Sequence, residues 1–115
     1  MGYSFPLRVA APAGATPNIL AGTAIEYMGD DIMLDVYGNG EITGIVAALT
    51  GFKGSEPGMQ YIPTGSVLGL ASTPGKVKTN EDFIANLSIP GGTRLVLPLS
   101  NGGAASFVDF LFVVH

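Results

Sequence analysis

Apolar and polar residues alternate with a period of two along much of this chain, the spacing of β-strands with one buried face. Tyr3, Phe5, Leu7 and Val9 alternate with Ser4, Pro6 and Arg8. Further on, "GTAIEYM" sets Thr23, Ile25 and Tyr27 on one face, and "IMLDVY" sets Ile32, Leu34 and Val36 opposite Met33, Asp35 and Tyr37. "EITGIVAAL" loses its alternation after Gly44, which predicts burial on both faces. Short pieces follow, "MQYI", "SVLGLAS" and "TRLVLPL", and the chain closes on "SFVDFLFVVH". Gly and Pro punctuate them: Gly38-Asn39-Gly40 predicts a tight hairpin turn, 50–58 a loop, and Pro63-Thr64-Gly65, Thr73-Pro74-Gly75 and Ser100 to Gly103 further turns.

One stretch departs from the strand period. In "TNEDFIANL" Thr79 precedes Asp82 by three residues, and Phe83 and Leu87 stand at i,i+4, a spacing that predicts one short helix. Pro6, Pro12 and Pro17 exclude a helix near the start, so residues 1–21 read as an extended N-terminal arm and 22–115 as a β-rich domain. The expected fold is mainly β: a single compact barrel-like or sandwich-like domain with that arm and that helix. The closing strand raises its own question, because Phe110 to Val114 is an unbroken apolar run at a chain end. Left exposed it would invite aggregation. Phe107, Phe110, Phe112 and Val114 are therefore expected either inside a sheet or closed over by a neighbouring subunit.

Composition sharpens this picture. Only 12% of the 115 residues are charged, about half the share of an ordinary soluble domain. A chain this poor in charge and 47% hydrophobic is expected to have part of its outside covered by other protein. The net charge of −4 repels phosphate backbones and supplies no counterion-release term, which argues against nucleic acid and against anionic membranes. The start lacks the basic segment and apolar run of a secretory signal, and no stretch has the length of a membrane helix. A protein made in a cytoplasm is expected.

Catalytic chemistry finds no foothold. Without cysteine there is no thiolate nucleophile or thiolate metal site, and the one histidine is His115. Ser66 lacks the Gly-x-Ser-x-Gly elbow, and "GNGEITG" and "TPGKV" miss the phosphate-loop spacings. Glu26, Asp30, Asp31, Asp35 and Glu41 gather without an intervening Lys or Arg, which makes Asp30 and Asp31 candidates for a hard cation, though a solvated hairpin rim explains them more readily. No enzyme and no cofactor is expected.

Residues 16–49, "TPNILAGTAIEYMGDDIMLDVYGNGEITGIVAAL", resemble the small head decoration, or cement, proteins of tailed bacteriophages, the lambda head decoration group. The shared features are a Pro/Ala-rich arm, "G-T" opening a strand, a short polar turn, a second strand, a Gly-rich turn and a strand carrying "G-I-V-A". The resemblance covers the first 50 residues or so. It implies a compact β-rich virion protein, a homotrimer bound to the major capsid protein at local three-fold positions on the shell. It also implies an arm, here Tyr3 to Val9, that adds extended backbone to capsid elements. Two other readings stay open: a sugar-binding module of a tail or fibre, built around Tyr27, Tyr37 or Tyr61 with carboxylates beside them, and a self-assembling shell or tube subunit.

Overall fold

Alternation becomes sheet wherever a strand finds a partner for both its hydrogen-bonding edge and its apolar face. In the computed structural model, which describes residues 2–115, ten strands do so. They are β1 (Tyr3–Ala11), β2 (Gly14–Thr16), β3 (Tyr27–Met28), β4 (Ile32–Gly40), β5 (Ile45–Lys53), β6 (Glu56–Val67), β7 (Phe83–Ile89), β8 (Thr93–Val96), β9 (Leu99–Asn101) and β10 (Ser106–Val114). Two antiparallel sheets result. One has the order β1-β10-β4-β7; the other runs β2-β9-β5-β8-β3, with β6 on the remaining edge of β5. The sheets do not close into a barrel.

Between the sheets lies a core of Leu34, Val36, Val108, Phe110 and Phe112 from the first and Ile45, Leu49 and Leu95 from the second, with Leu97 from the β8–β9 connection, all nearly inaccessible. Each such side chain contributes about 1.5–3 kcal/mol through burial. The irregular stretch between β2 and β3 adds Leu20 and Ile25, both fully buried. Asn18 pins it: its Oδ1 accepts the N–H groups of Leu20 and Leu97, each at 3.0 Å.

The terminal strand is central. β10 pairs with β1 from Tyr3↔Val114 to Ala11↔Ser106 and with β4 on its other side. Phe110, Phe112 and Val114 point into the core, whereas Phe107 is 44% exposed on the outer face. The question posed by the apolar chain end is thus answered within the chain, by the N-terminal segment. That segment is extended as its alternation predicts, but it is no separate arm: Phe5, Leu7 and Val9 are half-buried against the core, and only Tyr3 among the four stays exposed.

Three expectations are corrected. The short helix at 79–87 is absent; its second half is β7, paired with β4 from Ile32↔Ile89 to Tyr37↔Phe83. The capping pattern makes a single turn instead, in which the Asp82 carboxylate accepts the Lys78 N–H at 2.7 Å and the Asp82 N–H returns to the Lys78 carbonyl at 2.8 Å. Gly38-Asn39-Gly40 is not a turn but the end of β4. Gly38 is needed for close approach, since a Cβ there would stand 2.6 Å from the Phe110 ring. The predicted loop at 50–58 is the tip of the β5–β6 hairpin, turned by Gly54 at φ +64°.

Candidate functional site

On the outer face of the first sheet, polar side chains from adjacent strands form a row. Arg8, Asp109 and Asn39 are register partners across β1, β10 and β4. Arg8 Nη1 donates to Asp109 Oδ2 at 2.8 Å, and Nη2 lies 2.6 Å from Glu41 Oε2 in an ion pair. The guanidinium also stacks 4.5 Å above the Phe107 ring. Its pKa is raised above the ordinary value, chiefly by Glu41 and then by Asp109. Asn39, fully buried, donates through Nδ2 to the Lys76 carbonyl at 2.9 Å and to Asp82 Oδ2 at 3.0 Å, tying the 70–82 connection across the sheet. Arg8, Asp109, Glu41 and Asp82 each have a partner, so the row fastens β1 and the connection.

At one end of the sandwich the structure brings together Tyr3, Tyr27, Asp30, Asp31, Val114 and His115 around a cleft of about 410 Å³. Asp31 Oδ1 accepts the Gly91 N–H at 2.7 Å, which fixes a turn. No group of three or more His, Cys, Asp or Glu side chains that could hold a metal occurs among the described residues, so Asp30 and Asp31 are joined by no third such side chain. His115 Nε2 contacts Asp35 Oδ2 at 2.8 Å, and Asn86 Nδ2 donates to Asp35 Oδ1. These two hold the Asp35 carboxyl below its ordinary pKa, Asn86 contributing most.

The sandwich is open along a third side, between β6 of one sheet and β7 of the other. A cleft of about 430 Å³ there has Ile62, Leu97 and Phe110 in its lining and Val67 and Phe83, 71% and 54% exposed, at its rim. Farther along the same strands a hollow of about 230 Å³ is lined by Lys53, Met59, Ser88 and Pro90. Tyr61 borders both, and burial pushes its hydroxyl pKa up. The Thr93 hydroxyl, in the second hollow and 2% exposed as a residue, has no hydrogen-bond partner among the described residues. The carboxylates here are already engaged: Asp82 by Asn39 and Lys78, Glu81 by Ser72 and Lys78. What the side presents is apolar surface and strand backbone.

Sequence reasoning placed the interacting surface at Tyr3 to Val9 and did not read the strand that borders this open side. A signal existed: Phe83 to Ile89 carries no charge, contains Ile84 and Ile89, and stops at Pro90, features of a strand as much as of a helix. No helix long and apolar enough to cross a membrane is found among the described residues. No family model matches the chain, and neither a curated protein nor a solved structure matches it.

Proposed function

We propose that this chain is a structural virion protein that binds the outer surface of an assembled phage capsid and stabilises it, without catalysis and without a cofactor. The observation that carries the reading is the apolar surface of the open side, where Met59 and Val67 of β6 stand 67% and 71% exposed. Its partner in this reading is the major capsid protein, and the resemblance over residues 16–49 supports the choice. The contact surface is moved from the N-terminal segment to β6, because Phe5, Leu7 and Val9 are engaged with the chain's own core. Binding the lattice but not the unfolded chain stabilises the shell by mass action.

The test is co-sedimentation with empty expanded capsids. The natural chain pellets with the shells and raises their melting temperature. A chain carrying both Met59→Lys and Val67→Lys, exposed positions whose change leaves the fold intact, stays in the supernatant. Failure of the natural chain to pellet defeats the proposal. The cleft holding Tyr3, Tyr27, Asp30 and Asp31 favours sugar binding as the second reading, and glycan-array binding abolished by Tyr27→Ala would establish it.

A further inference from the structure

Unpaired strand edges invite other strands, and proteins blunt them by bulges, proline, charge or brevity. This chain has five edge strands, β1 and β7 in one sheet and β2, β3 and β6 in the other. β1 carries Pro6 and Arg8. β2 and β3 are three and two residues long. β6 carries Glu56, Pro57 and Pro63 and shifts register against β5 at three places. β7 has neither charge nor proline, and after one irregularity at Ile84 its pairing with β4 is regular from Ala85 to Ile89. It is the one edge left unprotected among the described strands.

We infer that β7 pairs antiparallel with β7 of a second copy of this chain, joining the two four-stranded sheets into one across a two-fold axis. Three observations select this occupant. First, the strand suits itself, because an uncharged edge placed against its own copy sets no like charges opposite each other.

Second, one register alone pairs the whole regular run with faces preserved, the one centred on Leu87. Ala85 then faces Ile89 of the copy and Leu87 faces Leu87 on the core side. Asn86 faces Ser88 on the outer side, where Asn86 already contacts Asp35. A centre on Asn86 would set the core-facing Ile84, which packs against the core cluster, opposite the outer Ser88. Third, antiparallel pairing exchanges the ends of the strand. Glu81 and Asp82 border the cleft at the Phe83 end, which stays acidic although Lys78 forms an ion pair with Glu81, and the exposed Lys53, which has no ion-pair partner among the described residues, borders the hollow at the Pro90 end. The two-fold therefore brings the acidic end of each copy to the basic end of the other, twice. Such an isologous contact closes at two, in place of the trimer that the resemblance implies. The inference does not rest on capsid binding: the mass of the free protein reads one and shell pelleting the other.

The chain has no native cysteine, so single cysteines report the register. Residues directly opposite lie about 4.5–5.5 Å apart, within disulfide reach; diagonal neighbours lie about 7–8 Å apart, beyond it. Mixing Asn86→Cys protein with Ser88→Cys protein under mild oxidation should yield a covalent heterodimer, while either variant alone yields little. Sedimentation velocity of the natural chain should show a reversible monomer–dimer equilibrium. Lys53→Glu or Glu81→Lys should each weaken it about tenfold, and the two changes in one chain should restore it. A monomer at every concentration, an oligomer in which the mixed Asn86→Cys and Ser88→Cys proteins do not cross-link, or indifference to both charge reversals overturns the inference.

Discussion

β1 and β7 border the same four-stranded sheet at opposite sides, and the chain equips them differently. β1 is held along nine residues by β10, capped on its outer face by the Arg8 ion pairs, and blunted by Pro6. β7 is held on one edge by β4, faces the open cleft, and carries no device against further pairing. In a chain with so few charges, the placement of Arg8 decides which edge is sealed. The sealed side solves a folding problem, the cover for an apolar chain end. The open side leaves an apolar strand edge uncovered, and both proposed contacts lie there.

The sharpest way to break this contrast is to remove residues 1–11. If the N-terminal segment were an arm for partners, the truncated chain would fold and lose only its binding. With β1 as the cover of β10, truncation exposes the edge of a strand containing Phe110 and Phe112 and removes Phe5, Leu7 and Val9 from the core margin. The expected outcome is aggregation and loss of a cooperative melting transition. A soluble truncated protein with a near-native melting curve would show that the two edges differ less than argued.

Much of the sealed side could be read from residue spacing. The alternation of Tyr3 to Val9 and of Ile32 to Tyr37 corresponds to β1 and β4, and the demand that something cover Phe110 to Val114 is met by β1 and β4 on either side of β10. These pairings were not legible, because β10 meets β1 across about a hundred positions and β4 across about seventy to eighty, and no local pattern names a strand's partner. The open side was hidden for a related reason. A run such as Phe83 to Ile89 fits both periods when it is short, and only β4, through Ile32↔Ile89 to Val36↔Ala85, decides for strand. Gly38 was equally ambiguous: glycine marks a turn in sequence, and what requires it here is the Phe110 ring arriving from β10.

Gly38 also sharpens the comparison, at a smaller magnitude. It sits on β4 between the two sides, and a methyl there meets Phe110 on one side and the Ile84 side chain at 3.2 Å on the other. Gly38→Ala must displace the ring, and overpacking of this kind costs about 1–3 kcal/mol, measurable as a shift of the urea midpoint. On the β7 side Phe110 lines the open cleft, which gives the ring room there. Amide exchange should therefore accelerate in β7 more than in β1.

The smallest expected effect concerns Asp35, which touches both sides through His115 at the end of β10 and Asn86 on β7. Its pKa is held below the ordinary value of 3.8, first by the Asn86 amide and then by His115. In the unfolded chain these partners are gone, so as pH falls the unfolded state takes up the proton first. The stabilisation from Asp35 is therefore complete above the ordinary value and is lost as pH falls through the lower, folded one. The melting temperature of the natural chain should drop through this acid window, and Asp35→Asn should make that part of the drop shallower while lowering stability at neutral pH. Asn86→Ala removes the larger of the two causes and His115→Ala the smaller, so the first should flatten the acid limb more. Equal flattening by both would mean that the link to the open side is no stronger than the link to the sealed one.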